Sequence, residues 1–170
     1  MATIIKSDER DFKENPNRVD NFRLLTDISR IKKGINPEYL NFDLRQLNPN
    51  EYCSAYHFHR YAEELFVIIS GSATLRTPKG LEIVNNGDLI FFEKGENGAH
   101  QLYNHTQKDC IYLDIRIFIG YDICEYPDSN KVYVVPTGEI FSKNSQIEYF
   151  DGEENILEIW KNLRENDNEK

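Results

Sequence analysis

The sequence predicts an all-β fold, an antiparallel sandwich or barrel with an N-terminal arm and a short C-terminal helix. From Leu40 onward, short runs of β-branched and aromatic residues recur along the chain. Turn signals such as Ser70-Gly71 and Asn85-Asn86-Gly87 separate these runs, which is typical of antiparallel β proteins. Apolar residues recur at helical spacing in the tail.

The first 40 residues mix charged residues with apolar positions such as Phe22, Leu25 and Ile28. Asn15-Pro16-Asn17 and Asn36-Pro37 interrupt them. We therefore expect residues 1–40 to form an arm that packs on a barrel of residues 41–150. The predicted strands cover residues 40–47, 51–59, 64–69, 72–77, 81–84, 88–92, 100–104, 110–119 and 131–135.

The tail, residues 151–170, differs from the barrel. Its apolar residues Ile156, Ile159, Trp160 and Leu163 recur at helical spacing behind an acidic first turn. This pattern predicts an amphipathic helix, frayed from Glu165 onward, whose apolar stripe packs on the barrel or on a second subunit.

Composition narrows the class of protein. A chain of 170 residues is long enough for one well-packed domain. Its net charge of −9 and lack of a basic cluster argue against nucleic acid as a partner. The charged start and short apolar runs indicate neither a secretory signal nor a membrane span, so we expect a cytoplasmic protein. The cysteines at 53, 110 and 124 match no zinc spacing and are expected to be reduced thiols.

The most informative residues form two blocks of potential metal ligands. His57 and His59 are followed by Glu64 in the first block, and His100 lies in the second. In a β-strand, residues two apart face the same side, so the first two imidazoles can bind one ion. An H-x-H alone is a weak motif, and a hydrogen-bonded polar pair at a barrel mouth is its simpler explanation. Here three of the four histidines in the chain fall in the two blocks.

Three neighbouring residues need separate interpretation. Glu63 is the rival carboxylate, but Glu64 shares its strand face with Phe66, and a one-residue slip would reverse every side chain. Cys53 has the parity of the histidine pair and faces the interior if the strand is unbroken from Glu51, but a small buried hydrophobic residue is the favoured interpretation. His105 lies in a polar turn and is expected to be solvated.

Both blocks resemble the conserved motifs of the cupin superfamily. The segments are HFHRYAEELFVIISG (57–71) and GDLIFFEKGENGAHQLYN (87–104). The second departs from the usual form, because Glu93 replaces a proline and four residues separate Gly95 from His100. The segments CIYLDIRIF and CEYPDSNKV are similar to a group of single-domain metal-binding cupins of uncharacterised function.

This resemblance implies a double-stranded β-helix, the jelly-roll or cupin barrel. It also implies that His57, His59, Glu64 and His100 bind one divalent transition metal per chain, namely Fe, Mn, Ni or Zn. Three imidazoles and one carboxylate suit such ions on chemical grounds as well.

Two functions follow from such a site. The first is a metal-dependent enzyme acting on a small polar or enolisable molecule, of the oxygenase, decarboxylase, isomerase or lyase class. The second is a non-catalytic module that binds or senses a small ligand. Tyr56, Arg45, Arg76 and Tyr112 can approach the lumen, but the sequence assigns none of them a catalytic role. Exposed sheet edges and an arm long enough to cover a neighbour's sheet lead us to expect a homodimer.

Overall fold

The computed structural model describes residues 2–17, 20–117 and 119–167. In these ranges the strands, in chain order, are β1 (Phe12–Glu14), β2 (Leu25–Asp27), β3 (Leu40–Leu47), β4 (Phe58–His59), β5 (Glu63–Ser70), β6 (Ser72–Thr77), β7 (Gly80–Asn85), β8 (Leu89–Phe92), β9 (Gln101–Tyr103), β10 (Cys110–Ile117), β11 (Asp122–Tyr126), β12 (Lys131–Val135) and β13 (Ile140–Ser142). The α-helices are α1 (Ser29–Lys32) and α2 (Ile156–Asp167).

The strands form a large sheet and two smaller ones. The large sheet is antiparallel with the strand order β1-β2-β3-β10-β5-β8, and its central strand β10 pairs with β3 and β5. The smaller sheets have the orders β13-β12-β11-β4 and β7-β6-β9. Two isolated bridges, Tyr52↔Tyr103 and His57↔His100, connect the segment before β4 to the β9 region. This pairing places β4 and β9 next to each other.

The predicted all-β class and the C-terminal helix are confirmed. β3, β6 and β12 begin and end at the predicted residues. β11 and β13 were not predicted, and β10 ends at Ile117, while Phe118 lies outside the described residues.

The predicted strand 51–59 is wrong over most of its length. Only Phe58–His59 form a strand, and the residues between Cys53 and Tyr56 form bends. Asn50 has a φ of 64°, and the Ser54 hydroxyl donates to the Ala55 carbonyl oxygen at 3.1 Å. Both features favour a turn over extended backbone.

The arm pairs with its own barrel. β2 pairs with β3 through Leu25↔Gln46 and Thr26↔Arg45, and β1 pairs with β2. The β3 edge of the large sheet is thus covered within the chain, which removes one exposed edge. The division of the chain at residues 40 and 150 stays a prediction.

The core lies between the large sheet and the smaller sheet β7-β6-β9. Its most buried apolar residues come from both sides, and each is at most 5% exposed: Leu47, Phe66, Ile68, Ala73, Leu75, Phe92, Leu102, Cys110 and Tyr112. The interior positions of β5 and β10 alternate with outward-facing ones, as expected for strands with one buried face.

The C-terminal helix differs from its prediction in two respects. It continues to Asp167, past the predicted onset of fraying at Glu165. Its stripe residues Ile156 and Trp160 are 44% and 55% exposed, so the barrel of the same chain does not bury the stripe. Neither helix in the described ranges has the length and apolarity needed to cross a membrane.

Candidate metal centre

The two histidine segments meet in the barrel interior. His57 N–H donates to the His100 carbonyl oxygen at 3.2 Å, and His100 N–H donates to the His57 carbonyl oxygen at 2.8 Å. His59 follows in β4, and its ring centroid lies 5.1 Å from that of His57. The backbone pairing therefore brings three imidazoles from two segments into one cluster.

Each of these imidazoles is fixed through its Nδ1 atom. The Nδ1 atoms of His57 and His100 each lie 2.9 Å from the carbonyl oxygen two residues earlier in the chain. His59 Nδ1 lies 2.5 Å from Oδ2 of Asp122. Carbonyl and carboxylate oxygens are acceptors, so each Nδ1 carries the hydrogen and each Nε2 is left for another partner.

Glu64 adds a carboxylate from the large sheet. In β5 it shares the interior face with Phe66 and is 3% exposed, whereas Glu63 is exposed. Its Oε2 lies 3.0 Å from Nε2 of His100 and 3.3 Å from Nε2 of His59. The structure therefore brings Glu64, and not Glu63, to the histidines.

The inward atoms of this cluster fit a metal ion. His59 Nε2, His100 Nε2 and Glu64 Oε2 are fully buried, and their close approaches lack hydrogen-bond geometry. His57, His59 and Glu64 each offer a ligand atom, and these atoms lie within 4.8 Å of one another. Buried polar atoms in proteins normally have a partner, and imidazole nitrogens and carboxylate oxygens are donors to transition metals.

Two residues of β11 surround the outer side of His59, and the sequence reasoning missed both. Asp122 is 2% exposed and also accepts the N–H of Tyr61 at 2.9 Å. Cys124 Sγ lies 3.4 Å from His59 Nδ1, so His59, Asp122 and Cys124 form a second group of potential ligands. Because Asp122 occupies Nδ1, we assign it the orienting role that carboxylates have behind metal-binding histidines. The signal available in the sequence was the spacing of Asp122 and Cys124, which stand two positions apart and so face the same side of a strand.

A 3₁₀ turn at Glu96–Gly98 absorbs the unusual spacing before His100. The carbonyl oxygen of Gly98 is the one that fixes the His100 ring. A Cβ at Gly98 would lie 1.8 Å from the carbonyl oxygen of Glu93, so this position requires glycine. With this turn, His100 remains fully buried despite the altered motif.

The histidines differ in their proton affinity. Burial, followed by the neighbouring His100, lowers the pKa of His57 to about 3. Burial also acts to lower the pKa of His59, but hydrogen bonds, first of all to Asp122, outweigh it and raise this pKa to about 11. In the metal-free protein at neutral pH, His57 is therefore neutral and His59 carries two ring protons.

A small cavity adjoins the cluster. It has a volume of about 170 Å³, and His57, Glu64, Asp114, Arg116 and Arg45 contribute to its lining. Arg116 Nε lies 3.4 Å from Glu64 Oε1 and 3.7 Å from Asp114 Oδ1, and Arg45 Nε lies 3.5 Å from Asp114 Oδ2. Burial, reinforced by the charge of Glu64, raises the pKa of Asp114 to about 6.

The other residues considered from the sequence divide into two groups. Tyr112, like Arg45, lines the cavity. Arg76 and Tyr56 do not, because the Arg76 guanidinium lies 3.9 Å above the Tyr56 ring and is paired with Asp128 at 2.6 Å.

Cys53 and His105 follow their sequence-based interpretations. Cys53 is buried and lines the cavity, although the strand on which its parity with the histidine pair depended is broken at residues 53–56. His105 is exposed, and its Nδ1 lies 2.9 Å from Thr74 Oγ1.

Comparison with known proteins identifies the fold. Residues 44–116 match the family of the cupin domain. A sugar phosphate isomerase of the cupin superfamily from Silicibacter pomeroyi is similar, with a TM-score of 0.72 and 17% identity over 88% of this chain and 98% of that one. The chain therefore has the double-stranded β-helix that its motifs predicted, and its residues 44–116 are similar to the cupin domain.

Two further structures share the fold. A protein from Acidithiobacillus ferrooxidans, described as a sugar phosphate isomerase, has a TM-score of 0.71 and 20% identity over 85% of this chain and 95% of that one. The polyketide cyclase RemF from Streptomyces resistomycificus has a TM-score of 0.56 and 19% identity over 69% of this chain and 80% of that one. Among curated proteins, none matches this sequence.

The opposite pKa shifts of His57 and His59 give a direct prediction. In the metal-free protein between about pH 6 and pH 9, His59 should keep both ring protons and His57 only one, because the first pKa lies above this range and the second below it. Long-range ¹H–¹⁵N NMR of the rings measures this. Asp122→Asn should lower the pKa of His59, and a wild-type His59 titrating near ~6.5 would contradict the assignment.

Proposed function

We propose that this cupin binds one divalent transition metal through His57, His59, Glu64 and His100 and acts on a small polar or enolisable molecule. The supporting observation is that three imidazoles, each fixed through Nδ1, meet the buried carboxylate of Glu64. Glu64 Oε2 and the Nε2 atoms of His59 and His100 have no hydrogen-bond partner among the residues that the structure describes. Three neutral imidazoles and one carboxylate suit iron, manganese, nickel or zinc.

A divalent metal bound there supplies Lewis-acid polarisation of a carbonyl or hydroxyl oxygen. The residues of the chain orient the ligands and control protons. Asp122 fixes the ring of His59, and the apolar side chains of Leu24 and Phe66 in the cavity wall limit access of water. Asp114 is a carboxylate of the cavity outside the ligand set, and we propose that it accepts and returns a substrate proton.

Within the enzyme classes, we favour isomerase or lyase chemistry over oxygenase or decarboxylase chemistry. The two structures with the higher TM-scores are described as sugar phosphate isomerases, and RemF is a cyclase. These names belong to those proteins, and at 17% to 20% identity they suggest a reaction class only. The competing function is a non-catalytic binding or sensing role. A hydrogen-exchange experiment distinguishes it from turnover.

The first test concerns the ligands. Full-length His57→Ala/His59→Ala protein should lose stoichiometric metal, because two of the four donors are removed. His105→Ala removes an exposed imidazole outside the cluster and should keep one equivalent. Elemental analysis of untagged protein measures both. A double variant that retains one equivalent after dialysis against a chelator would show that the ligand assignment is wrong.

The second test concerns turnover. Metal-loaded protein in D₂O should exchange the hydrogen next to the carbonyl group of small hydroxy carbonyl compounds, including sugar phosphates, and ¹H NMR follows this exchange. Asp114→Asn should slow it by about 100-fold or more, the usual loss for a general acid–base group. Asp109→Asn, at an exposed turn, should not. Compounds that raise the melting temperature but undergo no exchange or turnover would favour the binding role.

We also propose a homodimer in the cytoplasm. The outer face of the large sheet carries two apolar rows across β3, β10, β5 and β8, and Leu89 and Phe91 in these rows are 70% and 62% exposed. The rows are Leu44-Leu113-Val67-Leu89 and Phe42-Ile115-Leu65-Phe91. A continuous apolar patch of this kind marks an association surface. Cys110 and Cys124 are buried thiols that form no disulfide among the described residues, which is compatible with a reducing compartment.

Light scattering tests the assembly. The wild type should have twice the 20.0 kDa mass of the chain, and Leu89→Lys/Phe91→Glu should be monomeric because it places charges in both rows. Leu81→Glu alters an exposed leucine outside the rows and should leave the dimer intact. A monomeric wild type at micromolar concentration would exclude the dimer.

A further inference from the structure

Arg116 is the cavity residue with the most unused hydrogen-bonding capacity. Its Nε is enclosed and faces Glu64 and Asp114 at 3.4 and 3.7 Å. Its two terminal nitrogens make no hydrogen bond within the described ranges, and unlike Nε they are not enclosed. An arginine that served only to neutralise carboxylates would direct these four N–H donors at them.

Arg45, the other arginine of the cavity, differs from Arg116 because its terminal nitrogens have hydrogen-bond partners. Its Nη1 donates to Thr26 Oγ1 at 2.5 Å and its Nη2 donates to Asp43 Oδ2 at 3.0 Å. Its Nε lies near Asp114, so this carboxylate has a cationic partner besides Arg116. Structural pairing thus accounts for Arg45 but leaves the terminal nitrogens of Arg116 without a hydrogen-bond partner in the described part of the chain.

The charge of the cavity favours an anion. Arg45 and Arg116 balance the carboxylates of Glu64 and Asp114, and Arg30 balances Asp43, the further partner of Arg45, so the sum of these charges is zero. A divalent metal on neutral imidazoles adds two positive charges, and Asp122 behind His59 offsets one of them. The metal-loaded site therefore keeps an excess positive charge within a partly enclosed cleft, which attracts an anionic ligand.

The size of the cavity limits the ligand. Its volume of about 170 Å³ equals roughly that of five or six water molecules at ~30 Å³ each. Ligand pockets commonly measure about 300–1,000 Å³. The enclosed part of the ligand is therefore small.

Building on the proposed metal site, we propose that the terminal nitrogens of Arg116 bind the carboxylate or phosphate group of a small anionic substrate. The planar guanidinium fork matches either group through two parallel hydrogen bonds. The contact of Nε with Glu64 holds the fork beside the ligand set, so a bound anion lies next to the metal. Arg116 selects the substrate by charge and orients it for reaction.

The test is calorimetric titration of the metal-loaded, full-length protein with two probes, glycolate and inorganic phosphate. Arg116→Gln should weaken binding of the preferred probe at least tenfold, while its metal content stays at one equivalent. Arg116→Lys keeps the charge but loses the fork, so its affinity should fall between the two. Arg23→Gln removes an exposed arginine outside the cavity and should bind as the wild type does.

The outcomes separate this inference from the metal site. Wild type that holds metal but binds neither anion overturns the inference, as does Arg116→Gln with unchanged metal content and anion affinity. If Arg116→Gln does not fold, the Arg116→Lys result decides in the same way. Wild type that holds no metal under any loading condition refutes the proposed function instead. The probe that binds more tightly identifies the anionic group as carboxylate or phosphate.

Discussion

The buried carboxylate of Glu64 is the constraint on which the rest of the site depends. An ionised carboxylate inside a barrel is costly unless opposite charges or donors surround it. His100, His59 and Arg116 approach it at 3.0, 3.3 and 3.4 Å. Although burial alone would raise the pKa of Glu64, these contacts, led by His100, hold it well below its usual range. The same negative charge makes Asp114 harder to ionise, which adds to the effect of its burial.

The bounds of several strands were predictable from the sequence. β3, β6 and β12 were predicted to the residue because turn-forming residues flank regular runs. The segment 51–59 was misjudged because a turn after Asn50 and local hydrogen bonds of Ser54 override its β-forming composition. β11 escaped prediction because Asp122 and Glu125 interrupt the apolar pattern. Each of these carboxylates has a partner in the folded chain, His59 for the first and Arg60 for the second.

The ligand candidates could be found from spacing, but the groups around them could not. Parity places Tyr112, Asp114 and Arg116 on one face of β10, and this face is the interior one. The odd or even position of a residue in a strand does not show how deeply its side chain is buried or which residue faces it across the barrel. Arg45 and Arg76 were therefore equivalent in the sequence, whereas the fold places the first in the cavity and pairs the second with Asp128 outside it. Asp122 could not be linked to His59 because their contact spans 63 residues.

The stability of the barrel and the occupancy of its metal site are separable. The core of the barrel is apolar, and Leu47, Ile68 and Leu102 are fully buried in it. Without a metal, the proton on His59 supplies the positive charge that Glu64 requires, so the ligand cluster remains compensated. A metal held by the proposed ligands would replace this proton and supply the positive charge beside Glu64. Replacing the single charge of the proton by the two charges of a divalent metal would make the cavity more positive. The hydrogen bonds that fix the rings through Nδ1 would be retained. The scaffold would thus be formed before a metal binds, which is the preorganisation that the proposed metal site needs.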